Sequence, residues 1–442
     1  TAAASQGYLV QASSTNFGVL TPGGLVYSSA TPNGALGGLT VPLEPNTTYY
    51  FRVASLNWNS HPHYALAGST STLPSLISGL QAWGMFESSA TLNWVRLPSS
   101  PPDASSKTAE GYRLEASSTN FGALSPGGAA LASATPNVAL STLTVTGLLP
   151  NTTYFFRAGA LDWGGGAHFA GIPATATYAE PPASPLIAQL YPSSASVSWT
   201  AVASQGYELQ ASINPTFSPL FFSSTTDGGA AGLTVFGLAA DTTYFLRIGS
   251  INHDSRRSFA PLGSTSTLAL APISPFFPSV PTSGVFVTSA TVQWTAVAAQ
   301  GYALEASTAA DFSGTVLSST TPNGALGSLI ALGLDSGTTY YFRVGSLNWN
   351  SAPNYQIVGA TRTLVSPKRW TGGVDDLWNT AGNWTPGGVP GKNDTVTVNT
   401  AVSIYAVGAD ISFSCLTLGS LLGVGANLTL STSVASGGDV IL

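Results

Sequence analysis

Residues 148–158 read LLPNTTYFFRA, and similar strings recur three times in this chain of 442 residues. The equivalents are LEPNTTYYFRV at 43–53, LAADTTYFLRI at 238–248 and LDSGTTYYFRV at 334–344. A second string, GY-x-L-x-A-S with Val for Leu in the first copy, precedes each one, and its tyrosines are Tyr8, Tyr112, Tyr207 and Tyr302. These tyrosines are 104, 95 and 95 positions apart, so the chain contains four copies of one structural unit.

Each copy consists of short runs in which apolar and polar residues alternate, separated by clusters of Gly, Pro, Asn and Ser. In the second copy these runs include ATLNWV, GYRLEAS, STLTVTGL and TYFFRAGAL. Alternation with a period of two is typical of strands that bury one face. No stretch keeps a helical period with capping residues. The sequence therefore predicts an all-β chain of two-sheet sandwiches, with a Pro/Ser-rich loop insertion between Trp94 and Tyr112.

The pattern L-x-P-x-T-x-Y-x-x-R, downstream of a strand that ends in Trp, resembles the fibronectin type III domain. The third and fourth copies depart from it, because Ala240 and Ser336 replace the proline. The resemblance implies a tryptophan packed between the sheets and a tyrosine whose hydroxyl bonds to the backbone just upstream. The implied core residues are Trp94, Trp199 and Trp294, with Tyr49, Tyr154, Tyr244 and Tyr340 at the tyrosine corners. The implied domains are 1–73, which lacks its first two strands, then 74–180, 181–270 and 271–366.

The pattern changes at RWTGGVDDLWNTAGNWTPGGVP, residues 369–390. This stretch resembles a Trp-rich segment that precedes the β-helical passenger regions of bacterial surface and autotransporter-like proteins. Short alternating runs follow it about 16 residues apart, which is typical of stacked β-helix coils. Residues 367–442 are therefore expected to be a Trp-rich segment that leads into β-helix-like coils or short strands.

The composition constrains the compartment and the partners. Charged residues make up 7% of the chain against a usual value of roughly 25%, and the net charge is −6. With three lysines and no basic stripe, nucleic-acid binding has no electrostatic basis. No apolar run reaches the ~18 residues of a membrane helix, and no signal peptide is recognisable. A surface of small polar residues favours a secreted or cell-surface protein, and the start within a repeat suggests a fragment or processed form.

Candidate catalytic and metal-binding groups are sparse. His61 and His63 have no cluster of ligands around them, so a solvated loop is the preferred interpretation. Asp375 and Asp376 are adjacent, and adjacent residues of an extended chain point in opposite directions, which favours a turn or a weak Ca²⁺ contact over catalysis. No nucleophile elbow, HExxH motif or phosphate loop is present. We therefore expect no enzymatic activity, no metal and no cofactor.

An arginine follows each corner tyrosine, at Arg52, Arg157, Arg247 and Arg343. We expect these guanidinium groups to stack on outward-facing aromatic rings such as Tyr50 or Phe155. A neighbouring repeat position alternates between Glu (Glu115, Glu305) and Gln (Gln11, Gln210), which indicates that no charge is required there.

Three tryptophans follow the dipeptide LN or LD: Trp58, Trp163 and Trp349, with His253 at the third copy's equivalent position. They are expected on the loop between the last two strands of each sandwich. Contact with the neighbouring domain is the preferred interpretation. A sugar-stacking platform and local packing within the loop are the alternatives.

Five asparagines lie in N-x-[ST] sequons and are candidate glycosylation sites: Asn46, Asn151, Asn383, Asn393 and Asn427. Asn46 and Asn151 also occupy a turn that favours Asn by itself. The single cysteine, Cys415, is interpreted as a buried apolar residue, with an intermolecular link or a reactive thiol as the alternative.

These observations predict a non-catalytic structural protein of the cell surface or extracellular space, in which stacked sandwiches form a stalk, surface layer or filament. An adhesive role is compatible with the same observations. The alternatives are a spacer in a secreted polysaccharide-degrading enzyme and a carbohydrate-binding module. A homo-oligomer or filament is expected. The strands missing from residues 1–73 are supplied either by a longer form of the same protein or by another chain through strand complementation.

Overall fold

The structure, a computed structural model, describes residues 5–20, 24–97, 108–124, 130–279, 284–365, 367–391 and 394–398. It also describes the main chain of four short strands between residues 403 and 441. The all-β prediction is confirmed, because the described part consists of strands and loops with one 3-10 turn at Ala381–Asn383. The insertion at 98–107 lies outside the described residues.

Copies two, three and four each contain a three-stranded and a four-stranded antiparallel sheet, as in a fibronectin type III-like sandwich. In each of these copies the three-stranded sheet consists of the first, second and fifth strands in chain order. The four-stranded sheet has the order fourth, third, sixth, seventh. The strands of the second copy are β5 Ser78–Met85, β6 Ser89–Val95, β7 Gly111–Ser117, β8 Leu131–Thr135, β9 Thr142–Thr146, β10 Thr153–Leu161 and β11 Ala167–Ala176. Those of the third are β12 Ala183–Leu190, β13 Ser194–Thr200, β14 Gly206–Ser212, β15 Phe221–Thr225, β16 Gly232–Phe236, β17 Thr243–Ile251 and β18 Arg257–Ser266. Those of the fourth are β19 Ile273–Phe276, β20 Ser289–Thr295, β21 Gly301–Ser307, β22 Val316–Thr321, β23 Ser328–Leu332, β24 Thr339–Leu347 and β25 Pro353–Arg362.

The first copy contains, among its described residues, the four-stranded sheet alone. Its strands are β1 Gly7–Ser13, β2 Val26–Thr31, β3 Thr48–Leu56 and β4 Pro62–Ser71. Their order is β2-β1-β3-β4, equivalent to that of the four-stranded sheets in the other copies. The face that the other copies cover with a three-stranded sheet therefore has no covering sheet in the described part of this copy.

The Trp-rich segment pairs differently. Strand β26 (Lys368–Trp370) is antiparallel to β27 (Trp384–Thr385) and parallel to β28 (Thr395–Val398). The following strands are β29 Ser403–Ala406, β30 Cys415–Leu418, β31 Asn427–Leu430 and β32 Val440–Ile441. Strand β28 pairs in parallel with β30, β30 with β32, and β29 with β31.

Every second residue of the paired strands faces the core of each sandwich, as the pleat of a strand requires. Trp94, Trp199 and Trp294 are buried, and their rings lie 5.0, 4.9 and 4.9 Å from those of Tyr112, Tyr207 and Tyr302. Each hydroxyl accepts a hydrogen bond from a main-chain N–H three residues after the tryptophan, at Leu97, Val202 and Val297. The ring pair and this bond fix the second strand against the opposite sheet.

The tyrosines at 49, 154, 244 and 340 are buried, and each hydroxyl accepts a hydrogen bond from the N–H five residues upstream. The donors are Glu44, Leu149, Ala239 and Asp335, at 3.2, 3.0, 2.9 and 3.1 Å. The geometry is the same with Pro, Ala or Ser at the following position, because the hydrogen bond uses the main chain of the donor and not a side chain of the turn.

The arginine that follows each corner tyrosine stacks on aromatic rings, but the partners proposed from sequence, Tyr50 and Phe155, are wrong. Each guanidinium lies instead between two other rings, 3.8 to 4.2 Å from their centroids: Arg52 between Phe17 and Tyr64, Arg157 between Phe121 and Phe169, Arg247 between Phe217 and Phe259, and Arg343 between Phe312 and Tyr355. One ring comes from the loop after the first strand of the sheet and the other from the edge strand.

The same arginines explain the exchange of Glu and Gln noted in the sequence. Arginine Nε donates to the side-chain oxygen of Gln11, Glu115, Gln210 or Glu305, at 2.9, 2.8, 2.7 and 2.7 Å. An amide oxygen and a carboxylate oxygen both accept this bond, so either residue completes the site.

Candidate functional site

The junctions between sandwiches hold polar contacts that do not belong to a sheet. The loop after the long strand of one copy (β10, β17 or β24) meets the end of the preceding copy. The first position of this loop is Asp162, Asn252 or Asn348, and Asn57 holds the equivalent position after β3 of the first copy. The sequence predicted the loop through its aromatic residue, whereas the structure places the residue before it, Asn252 or Asn348, at the centre of two of the junctions.

Asn348 performs two tasks at the junction between the third and fourth copies. Its Oδ1 accepts from the N–H groups of Asn350 and Ala352, at 3.0 and 2.8 Å, and thereby closes its own loop. Its Nδ2 donates across the junction to the carbonyl oxygens of Ser266 and Thr267, both at 3.0 Å. The side chain is 1% exposed. Removing it would leave buried carbonyl groups without this donor, at a cost of about 1–3 kcal/mol.

Asn252 repeats this arrangement one junction earlier. Its Oδ1 accepts from Asp254 and Arg256, at 3.1 and 2.8 Å, and its Nδ2 donates to the carbonyl of Thr177 at 2.9 Å. Asp254 adds an acceptor for the N–H of Ala176, at 2.7 Å. Two junctions therefore use the same donor in the same direction.

The junction between the first and second copies uses a different donor. Asp162 closes its loop by accepting from Gly164 and Gly166, at 2.8 and 2.7 Å, but a carboxylate has no N–H to donate. The indole Nε1 of Trp163 donates instead, to the carbonyl oxygen of Asn46 at 3.1 Å.

The receiving end of each sandwich presents a residue with left-handed backbone. Asn46, Asn151 and Asp241 have φ of 47, 47 and 49°, and Gly337 has φ of 62° at the equivalent place. Asn, Asp and Gly are the residues that tolerate this conformation. Asparagine or aspartate stands where another sandwich follows, and glycine stands where the Trp-rich segment follows.

These left-handed residues also bond to the next copy through their side chains. Nδ2 of Asn46 donates to Oε1 of Glu110 at 2.9 Å, and Oδ2 of Asp241 accepts from Nε2 of Gln300 at 2.7 Å. Glu110 and Gln300 occupy the same repeat position, directly before the Gly-Tyr of the next copy. An amide donor therefore faces a carboxylate acceptor in both pairs. The amide belongs to the preceding copy in the first pair (Asn46) and to the following copy in the second (Gln300).

The tryptophans singled out in the sequence differ in environment. Trp58, Trp163 and Trp349 are 86%, 54% and 63% exposed. The indole nitrogen of Trp163 donates a hydrogen bond across a junction, to the carbonyl oxygen of Asn46. The other two present most of their rings to solvent.

The sequons differ in the same way. Asn46 is buried with its Nδ2 bonded to Glu110, and Asn383 is buried with Nδ2 donating to Asp375 and to the carbonyl of Leu377. A sugar on either nitrogen would break these bonds. Asn151 is half-buried, and its Oδ1 accepts from the N–H of His253. Asn393 lies outside the described residues, as do the side chains of Asn427 and Cys415.

The Trp-rich segment folds around three buried rings. The Trp384 ring lies 4.9 Å from that of Trp370 and 4.6 Å from that of Trp378. Asn383 ties the turn together, since its Oδ1 also accepts from Val374 and Asp375. Hydrogen bonds from the N–H of Leu377 and the hydroxyl of Thr380 lower the pKa of Asp375. Asp375 therefore serves the turn, while Asp376 is exposed.

Within the described residues, no group of three or more His, Cys, Asp or Glu side chains could hold a metal ion. His168 contacts the carbonyl of Pro74 at 3.1 Å, and His253 contacts Gln205 at 3.2 Å. His61 and His63 are exposed. The described part of the chain also contains no helix long and apolar enough to cross a membrane.

Comparison with known proteins gave matches among solved structures. No family model matches the chain, and no curated protein matches it. The chain is similar to the FN1–FN3 domains of chicken CNTN1, with 14% identity and a TM-score of 0.25 over 66% of this chain and 100% of that one. It is also similar to a segment of two fibronectin type III domains from chicken tenascin, with 20% identity and a TM-score of 0.27 over 43% of this chain and 99% of that one.

Proposed function

We propose that this chain is a non-catalytic structural protein of the cell surface or extracellular space, in which stacked sandwiches form a stalk, surface layer or filament. The observation that carries the proposal is the junction asparagine. Asn252 and Asn348 are each buried between two sandwiches and each bond to both. Buried polar groups with all their partners in place hold one geometry, because any other geometry leaves them unpaired.

The low charge supports the same role. Because charged residues make up only 7% of the chain, there is little electrostatic repulsion between neighbouring molecules to oppose lateral packing. In this proposal the protein is a homo-oligomer or filament subunit. The proposal also holds that residues 367–442 begin a β-helix-like segment of a bacterial surface protein. The parallel pairing of β28 with β30 and of β29 with β31 supports this part of the proposal.

Immunogold electron microscopy of intact cells with an antibody against the third and fourth copies tests the proposal. We expect gold particles on the cell exterior, in a layer or on filaments. Gold confined to the cytoplasm of sectioned cells would contradict it. A glycosidase module elsewhere in the full-length gene would favour instead a spacer of a secreted polysaccharide-degrading enzyme.

The exposure of Trp58 and Trp349 favours a second candidate, a carbohydrate-binding role. Exposed indole rings beside asparagine side chains can stack on sugars. A glycan array with the whole chain and the double variant Trp58→Ala/Trp349→Ala tests it. This role requires signals that the double variant loses, whereas equal signals or none would exclude it.

A further inference from the structure

The turn that follows β2, β8, β15 and β22 has the same hydrogen bonds in all four copies. Its central residue is exposed in each copy, and is Asn33, Asn137, Asp227 or Asn323. The N–H of this residue donates to the hydroxyl of the threonine two positions before it, at 3.1 to 3.2 Å. Its Oδ1 accepts from the N–H two positions after it, at 2.8 to 3.0 Å. The four turns therefore differ in their side chains and not in their geometry.

The residue after this position is glycine in three copies, at Gly34, Gly228 and Gly324. A Cβ there would overlap the carbonyl oxygen two residues before the next Gly-Tyr dipeptide, which belongs to Ser5, Ser204 or Ala299. In the second copy the residue is Val138, whose side chain packs against the core. The first and fourth copies therefore present Asn-Gly in an exposed turn, and the second presents Asn-Val in the same turn.

An Asn-Gly pair is open to a reaction that an Asn-Val pair resists. The main-chain nitrogen of the following residue can attack the side-chain Cγ of asparagine, and glycine has no Cβ to hinder that approach. The branched Cβ of valine shields the same nitrogen. Within the described residues, the N–H groups of Gly34 and Gly324 donate no hydrogen bond. The hydrogen bond to Oδ1 spans the glycine, so it holds the side-chain amide close to the attacking nitrogen.

We propose that Asn323 and Asn33 are modification sites, at which the folded protein deamidates through a cyclic imide. At Asn323 the nitrogen of Gly324 forms a bond to Cγ. The bond from Cγ to Nδ2 breaks, and Nδ2 leaves as ammonia with the proton of the glycine N–H. Water then opens the imide at Cγ to give aspartate, or at the main-chain carbonyl to give isoaspartate.

The third copy shows that the aspartate product fits this turn. Asp227 accepts from the N–H of Gly229 at 2.8 Å and donates from its own N–H to Thr225, as the asparagines do in the other copies. Each deamidation adds one negative charge to an exposed turn of a chain in which 7% of residues are charged. The inference goes beyond the proposed function and does not rest on it.

Mass spectrometry of the folded whole chain tests the inference. Samples incubated at neutral and mildly alkaline pH are digested with pepsin in acid, and electron-transfer fragmentation distinguishes aspartate from isoaspartate. Asn137 is the matched control within the same molecule. We expect Asn33 and Asn323 to convert at least about tenfold faster than Asn137, because valine hinders the attack there. Isoaspartate should be among the products, and the rate should rise with pH because the attacking nitrogen must lose its proton.

One variant transfers the reactivity to the control site. Val138→Gly should speed the conversion of Asn137 at least about tenfold. The inference is overturned if Asn33 and Asn323 convert no faster than Asn137, or if aspartate is the only product, which would indicate direct hydrolysis. It is also overturned if conversion occurs only in denaturant, since the folded turn would then block the attack. The comparison within the unaltered chain decides the matter even if Val138→Gly does not fold.

Discussion

Gln300 donates a hydrogen bond of 2.7 Å to the carboxylate of Asp241 across the junction between the third and fourth sandwiches. Asn46 and Glu110 occupy the same two positions at the first junction, with the donor and acceptor sides reversed. Each of these two junctions therefore contains one amide and one carboxylate, and the amide can stand on either side of the junction.

The variant Gln300→Glu should weaken the third junction, because two carboxylates would then face each other. We expect the free energy of unfolding of the fourth copy to fall by about 1–2 kcal/mol at neutral pH. Adding Asp241→Asn should restore most of the loss, since that pair reproduces Asn46 with Glu110. Thermal unfolding of the single and double variants measures both effects. Equal stability of Gln300→Glu and the double variant would contradict the pairing.

Tyr244→Phe should destabilise the third copy by about 1–3 kcal/mol, because the N–H of Ala239 loses its acceptor inside the turn. The control is Tyr191→Phe, because Tyr191 is 41% exposed. This substitution should lower the free energy of unfolding by no more than about 0.5 kcal/mol. Denaturant unfolding followed by tryptophan fluorescence reports both values. A Tyr244→Phe variant as stable as the control would show that the corner hydroxyl is dispensable.

Arg247→Lys should cost about 1–2 kcal/mol despite keeping the charge. A lysine cannot lie flat between Phe217 and Phe259, and its ammonium cannot reproduce the bond from Nε to Gln210. Arg256→Lys at an exposed loop position is the matched control, for which no loss is expected. The same unfolding experiment applies, and a loss shared by both variants would indicate a general effect of lysine.

The fourth copy should lose stability in strong alkali through Tyr355. Burial, together with a hydrogen bond to Glu305, raises the pKa of this phenol to about 12. The folded state favours the neutral phenol of Tyr355. Its contribution to stability is therefore complete below the unfolded-state pKa of about 10 and is lost as the pH rises through the folded-state pKa of about 12. The variant Tyr355→Phe should show a smaller decline in stability over that interval. The difference in phenolate absorbance between the chain and Tyr355→Phe during a pH titration isolates this tyrosine among the 16 of the chain, and ionisation near pH 10 would contradict the burial argument.

Much of this fold can be predicted from the sequence because the same alternation of apolar and polar residues recurs in all four copies. Trp199, Tyr207 and Tyr244 recur at matching positions of alternating runs, so both faces of each strand can be assigned from the pattern alone. The stacking partners of Arg247 could not be predicted, since Phe217 and Phe259 are 30 and 12 positions away and reach it only through loop and strand geometry.

The junction residues were missed for a related reason. Asn252 and Asn348 resemble ordinary turn residues, and their Oδ1 atoms do serve a turn. Their Nδ2 atoms donate to carbonyl groups 75 to 82 positions upstream, and a contact over that distance cannot be predicted from the neighbouring residues in the sequence. The available signal was that Asn or Asp precedes the loop aromatic in every copy.

The central claim is that the junctions hold neighbouring sandwiches in one geometry. Its most direct test is the distance distribution between spin labels at Ser224 and Thr320, which are exposed and occupy equivalent positions of the third and fourth copies. The labels require cysteines at these two positions and Cys415→Ser. Asn348→Asp keeps the loop closed, as Asp162 does, but removes the donor, and Asn57→Asp makes the same change in the first copy, away from this junction.

Electron–electron double resonance should give one narrow distance peak in the labelled chain and in Asn57→Asp, and a broad distribution in Asn348→Asp. A broad distribution in the labelled chain itself would contradict the account.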